Sequence, residues 1–258
     1  MTLLITILPS LVLVLYFVKS DKFKEPNRII IITFLFGILI TIPAGYLNSL
    51  IDKNFATGER FNDALLSGFF GGGPVEELLK FSVLYFYILK EKAFNEPMDG
   101  LVYGVAASLG FAAYENINYV LYALKEPSFE IATIRAYTAV PMHALCGVMM
   151  GFLITQSIFE KKNNYLNLIL ALLIPVGIHG LYNFSLSSSL VSYEIAYIIL
   201  IIFVIRAWFL FKNLKKKQNQ SIIFNQKYFT ITLSHFINAT TTVLLIMLGL
   251  NYLISIAL

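Results

Sequence analysis

Eight stretches of this chain are each apolar over roughly the 17 to 25 residues that a helix needs to cross a bilayer. They lie at 2–18, 29–51, 66–89, 100–124, 131–158, 166–187, 190–211 and 231–257. Hydrocarbon offers no partner to a backbone N–H or C=O, so such a chain must pair its amides within helices. The expected fold class is all-α: one polytopic membrane domain over 1–258, a helical bundle of about eight spans. Composition agrees, with 58% hydrophobic and 13% charged residues, where a soluble domain carries about 25% charged. The first stretch lacks a basic leader and a small-residue cleavage site, so it reads as a retained helix rather than a signal peptide. The lone cysteine, Cys146, excludes an intramolecular disulfide and a Cys-rich zinc site.

The loops set the expected orientation. Lys19, Lys22, Lys24, Arg28, Lys90, Lys92, Lys161, Lys162, Lys212, Lys215, Lys216, Lys217 and Lys227 all fall in odd-numbered loops, whereas the even-numbered loops hold only Lys53, Arg60 and Lys125. Basic residues stay on the cytoplasmic side, so both termini are expected outside the cytoplasm. The net charge of +4 is then a property of basic loops, not a sign of nucleic-acid binding. The cluster Lys212–Lys217 reads as a lipid-headgroup anchor. The turn near Ser187–Ser189 is tight enough that spans six and seven could instead form a re-entrant pair.

Against this apolar background, spans three to six hold Glu76, Glu77, Lys80, Glu115, Arg135, His143 and His179. An ionisable group at a span's centre costs about 2.5–3.5 kcal/mol on insertion scales, so several together call for a function. At 1.5 Å per residue, Glu76, Glu115, His143 and His179 fall about 12–18 Å below the outer ends of four different helices. Carboxylates and imidazoles from four helices thus share one layer. His235 and Cys146 stand apart and read as structural.

Local sequence sharpens the site. Gly71-Gly72-Gly73-Pro74 precedes Glu76 and Glu77. The glycines loosen the helix, and proline suits a fresh helical start, which places the glutamates in a first turn. Close helix packing is a second, compatible role for the glycines. Lys80, four residues after Glu76 and three after Glu77, can offset one negative charge. His179 and Asn183 share one helix face, where the amide can donate to a developing oxyanion. Ala144, Gly147 and Gly151 after His143 allow a neighbouring helix to approach closely. Arg135 either snorkels or binds substrate. Two carboxylates and two imidazoles can hold one divalent metal, zinc above all, with a position left for water. Without metal, a buried glutamate can still take the water's proton while His or Asn steadies the oxyanion. Both mechanisms are open to these residues. No His-Glu-x-x-His, Gly-x-Ser-x-Gly or Ser-Lys arrangement is present in the layer.

Glu76-Glu77-x-x-Lys80, Phe111-Ala112-Ala113-Tyr114-Glu115-Asn116, His143 followed by small residues, and His179-x-x-x-Asn183 occur in that order on consecutive spans. This order resembles the PrsW family of bacterial membrane proteases, itself similar to type-II CAAX prenyl endopeptidases and the ABI proteins. The resemblance covers about 66–187, the expected catalytic core, and leaves 188–258 as two additional spans. It implies a multi-pass peptidase of the bacterial cytoplasmic membrane, acting in stress response by the first cut in a single-span substrate such as an anti-sigma factor. By the same resemblance, Glu76 is the water-activating base with Glu77 beside it. Glu115, His143 and His179 are metal ligands or partners in activating water, and Asn183 is the oxyanion donor. Asn116 sits in the second motif as a supporting residue, as do Lys80 and Arg135.

Two other classes compete. An ion-coupled transporter or proton pathway also uses buried Glu and His and broken helices, but the halves here show no repeated broken helix. A non-catalytic scaffold would not need a competent residue at every motif position. The charge asymmetry makes one direct prediction. Fluorescent or thiol-labelled tags at either terminus should report an extracytoplasmic location, and a terminus reached only from the cytoplasm would overturn the orientation.

Overall fold

A computed structural model describes residues 1–122, 128–160, 163–188, 193–219 and 227–257. Lys125, Lys161, Lys162 and the Ser189 side of the expected tight turn lie outside the described residues. Every regular element among the described residues is helical. In chain order these are α1 (Thr2–Ser20), α2 (Asn27–Leu39), α3 (Thr41–Phe55), α4 (Arg60–Leu66), α5 (Gly73–Phe86), α6 (Pro97–Ile117), α7 (Phe129–Tyr137), α8 (Ala139–Phe159), α9 (Asn164–Ser187), α10 (Tyr193–Asn219) and α11 (Leu233–Ala257). A wide π-helical stretch, Ser67–Gly72, joins α4 to α5, and another, Asn118–Tyr122, continues α6.

Helices occupy all eight apolar stretches. Among the described residues, five segments are long and apolar enough, by length and composition, to cross a membrane: Thr2–Ser20, Asn27–Phe55, Phe129–Phe159, Asn164–Ser187 and Leu233–Leu250. Part of the difference lies in the polar core. The stretch at 66–89 is broken, and its main helix, α5, is only 14 residues long and carries Glu76, Glu77 and Lys80.

Prolines explain three interruptions. A proline ring collides with the carbonyl four residues earlier and removes one helical N–H. Pro43 acts on Leu39, the last residue of α2, and Pro141 acts on Tyr137, the last residue of α7. Pro74 acts on Phe70 inside the π-helical stretch, and the next residue, Gly71, leaves helical geometry at φ −87°, ψ −106°. The helix expected to restart near Pro74 does so at Gly73, with Glu76 in its first turn.

α6 is the hub, packed against α8, α2 and α1. It is buried on all sides: Leu101, Val102, Tyr103, Val105, Ala106, Leu109 and Ala112 are at most 1% exposed. Its contact with α8 is backbone against backbone. A Cβ on Gly104 would overlap the carbonyl of Gly147, and a Cβ on Gly151 would overlap that of Gly100. These small residues fix Glu115 on α6 against His143 on α8. At the other side of the site, a Cβ on Gly73 would come within 3.2 Å of Gly180 Cα, so α5 and α9 also touch directly. Both roles considered for the Gly71–Gly73 run, breaking the helix and packing it closely, are therefore present. Gly104→Val should force α6 and α8 apart and cost about 1–3 kcal/mol or more. A thermal unfolding series in detergent should show a lowered melting temperature, while the same change at Gly45, which has open space around it, should not.

Candidate active site

The expected layer is formed. Glu76, Glu77 and Lys80 come from α5, Glu115 and Asn116 from α6, Arg135 from α7, His143 from α8, and His179 and Asn183 from α9. Glu77, Lys80, His143 and His179 are at most 1% exposed, and Glu76 is 5% exposed.

The polar atoms form a connected chain. Arg135 Nη2 donates to Glu115 Oε2 at 2.8 Å, and Arg135 Nε donates to Asn116 Oδ1 at 2.7 Å. Arg135 thus orients the second motif, with its guanidinium 4.1 Å from the Tyr119 ring centroid. His143 Nε2 lies 2.8 Å from the same Glu115 oxygen, and its Nδ1 lies 3.0 Å from Lys80 Nζ. Lys80 Nζ donates to Glu77 Oε1 at 2.7 Å, and His179 Nδ1 is 2.8 Å from that oxygen. Lys80 therefore offsets Glu77, not Glu76. Phe111, from the second motif, closes the other side of Lys80 with its ring centroid 4.4 Å away.

These partners assign the ring protons. Lysine only donates, so His143 Nδ1 accepts and its Nε2 holds the proton facing Glu115. An ionised carboxylate only accepts, so His179 Nδ1 donates to Glu77. In the neutral imidazole, His179 Nε2 then carries the lone pair. It faces Glu76 Oε2 at 3.7 Å, too far for a hydrogen bond. Glu76 Oε2 is itself buried without a partner.

Glu76 and His179 line a cavity of about 310 Å³, together with Glu115, Arg135, His143 and Asn183. Asn183 reaches it because residue 72 is glycine: a Cβ there would lie 2.5 Å from the Asn183 amide nitrogen. Glu77 and Lys80 stand behind the wall. The two adjacent glutamates have different surroundings, Glu76 toward the cavity and Glu77 holding His179 and Lys80.

The motifs did not signal Asn48 of α3, whose Nδ2 donates to Glu76 Oε1 at 3.4 Å. A lone asparagine close to the end of a span carries no pattern, and only the break before α3 turns it inward. His235 lies apart, bonded to Thr232. Cys146 is buried, with its sulfur 3.7 Å from Met142 Sδ and from the Pro175 carbonyl.

Oxygen and nitrogen atoms of Glu76, His143 and His179 lie within 4.8 Å of one another. Two imidazoles with a carboxylate form a donor set that suits catalytic zinc. The unpartnered Glu76 Oε2 and the free His179 Nε2 fit a metal as they stand. His143 could ligate through Nε2 only in its other tautomer, with the proton on Nδ1.

The model of the PrsW family of intramembrane metalloproteases matches residues 25–209. The chain belongs to this family. Among its relatives, the protease PrsW of Oceanobacillus iheyensis is 33% identical over 223 residues, spanning 85% of this chain and 96% of the relative. Those of Clostridioides difficile and Bacillus subtilis are 32% and 31% identical, each over 84% of this chain and 92% and 95% of their own lengths. No solved structure matches the chain. The PrsW match also covers α2 and α3, which bring Asn48 to Glu76.

Removing one partner of a buried ion pair leaves an unpaired charge and costs about 3–5 kcal/mol. Lys80→Met should therefore lower the unfolding temperature markedly. The double change Lys80→Met with Glu77→Gln should restore part of that loss, as a double-mutant cycle in detergent would show.

Proposed function

We propose that this membrane peptidase hydrolyses a peptide bond with water activated in the Glu76 cavity. The observation that carries this reading is the facing pair of atoms, Glu76 Oε2 and His179 Nε2, on two residues that line a cavity with an amide donor, Asn183. Glu76 takes the water's proton as the oxygen attacks the substrate carbonyl. Asn183 donates to the oxygen that gains charge. Glu77 holds His179 through Nδ1, which keeps Nε2 free for the reacting water. Glu115, anchored by Arg135, holds His143 at the opposite nitrogen, Nε2, while Lys80 engages its Nδ1. His143 and His179, with Glu76 or Glu115, are the residues that would hold zinc. Bound there, the metal would polarise the carbonyl and make its water more acidic.

The substrate reading is a single-span membrane protein such as an anti-sigma factor. A groove of about 540 Å³ supports it, sharing Asn48, Asp52, Glu76, Glu115 and Tyr119 with the catalytic cavity. It runs between α3 and the end of α6, past Gly45 and Tyr122. An extended segment in this groove brings its backbone to Glu76. Placement in a bacterial cytoplasmic membrane rests on the PrsW relatives, and both termini outside rests on the lysine and arginine asymmetry of the loops.

The test is cleavage of a candidate anti-sigma factor by detergent-purified protein, with metal content measured on the same sample. Glu76→Gln should lower the rate about 10²- to 10⁴-fold, the usual effect of removing a general base, without changing the melting temperature by more than a few degrees. About one zinc per chain with chelator-sensitive cleavage assigns the metal mechanism, and cleavage insensitive to chelator assigns the glutamate mechanism. Undiminished cleavage by Glu76→Gln would overturn the reading, as would proton flux without any peptide product.

A further inference from the structure

A second group of acids is buried at the far end of α6. Asp21 closes α1, Glu25 lies in the loop to α2, Glu96 caps α6 and Asp99 stands in its first turn. Their exposures are 2%, 8%, 7% and 0%. An oxygen from each of Asp21, Glu25 and Asp99 lies within 4.8 Å of the other two. Asp99 and Glu115 are sixteen residues apart on one helix, about 24 Å, so this cluster is separate from the catalytic layer.

Known bonds use only some of these oxygens. Asp99 Oδ2 accepts from the backbone N–H groups of Asn95 and Glu96, at 2.6 and 2.7 Å. Asp21 Oδ1 accepts from Phe23 N at 3.1 Å and from Gln218 Nε2 at 2.8 Å. Glu25 Oε2 accepts from the Tyr103 hydroxyl. Asp21 Oδ2 and Asp99 Oδ1 remain, both buried and both without a partner. Capping α6 needs one Asp99 oxygen and neither Asp21 nor Glu25, so the cap does not account for the cluster.

Among the described residues, no lysine or arginine comes within salt-bridge distance of the four acids. Nearby cations are engaged elsewhere. Lys22 Nζ donates to the Gln218 carbonyl, Lys24 Nζ to carbonyls of residues 18, 19 and 21, and Lys227 Nζ lies over the Phe94 ring. Burial pushes the Asp21 and Glu25 carboxyls above the usual carboxylate range, and Glu96 up to about 7. Buried charges are ordinarily paired or bound to metal, and orphaned buried oxygens are costly.

We propose that Asp21, Glu25 and Asp99 form a second cation site, for one hard divalent ion of the magnesium or calcium class. The donors are all oxygens, which suit these ions and not zinc or copper. The site also joins distant parts of the chain. Gln218, near the end of α10, donates to both Asp21 and Glu96 and receives the Lys22 backbone N–H. A cation on Asp21 therefore holds the α1–α2 loop, the start of α6 and the end of α10 in one arrangement.

The experiment is thermal unfolding of the full chain in detergent, first stripped with chelator, then titrated with magnesium or calcium chloride at constant ionic strength. Manganese electron paramagnetic resonance on the same samples counts bound ions. The expected result is a saturable rise of about 3 °C or more and one high-affinity manganese per chain attributable to this cluster. Both should be lost in Glu25→Gln and in Asp99→Asn, and kept in Glu76→Gln. Glu25→Gln is the more informative variant, because Asp99 also caps α6. No saturable rise would overturn the proposal, leaving shared protons as the cluster's means of support. A rise that survives Glu25→Gln, or one that disappears in Glu76→Gln, would overturn it equally.

Discussion

A lysine with no water around it organises the catalytic layer. Lys80 cannot remain a buried cation without partners, and the carboxylate it pairs with directly is Glu77, one turn back on the same helix. Its remaining donor capacity goes to His143 Nδ1 and to the face of Phe111. From those contacts the proton positions of both histidines follow, and so does the difference between the adjacent glutamates. Glu77 holds charge and orientation through Oε1, and its Oε2 is buried without a partner away from the cavity. Glu76, one residue earlier, keeps an oxygen free. What sets the two glutamates apart is placement, since Glu76 lines the cavity and Glu77 does not.

The helix breaks give the layer its geometry. Pro43, Pro74 and Pro141 each act on a carbonyl four residues back, and each break lies beside the layer. The first turns Asn48 toward Glu76, the second widens the backbone before the Glu76 turn, and the third separates Arg135 from the helix of His143. Uninterrupted helices would spread these side chains along their axes. Offset helices let Asn48, Glu76, Arg135 and His143 converge on one cavity.

The layer itself was legible in the sequence because charge is conspicuous in an apolar span. Glu76, Glu115, His143 and His179 announce themselves by position alone, and equal depth on four helices is enough to group them. Lys80 was legible as a partner, though spacing allowed either glutamate. The choice of Glu77 depends on rotamers and on where His143 stands. Asn48 was hidden for the opposite reason: an asparagine near a span end is unremarkable until the chain bends. The acids Asp21, Glu25, Glu96 and Asp99 sit at loop boundaries, where charge is expected, so only their burial in the folded chain sets them apart. The breaks at Leu39 and Tyr137 were encoded in Pro43 and Pro141, but long apolar runs on both sides conceal an interruption that leaves hydropathy unchanged.

The direct contact between α6 and α8 has a consequence for how this protein meets its solvent. Bilayers differ in thickness, and helices adjust by tilting or by sliding past one another. Sliding needs a layer of side chains that can change rotamer. Gly100, Gly104, Gly147 and Gly151 leave no such layer, since each backbone rests on the other. A thinner or thicker membrane therefore tilts α6 and α8 as a single body. Glu115 and His143 travel together, and their separation is set by the glycines and not by the lipid.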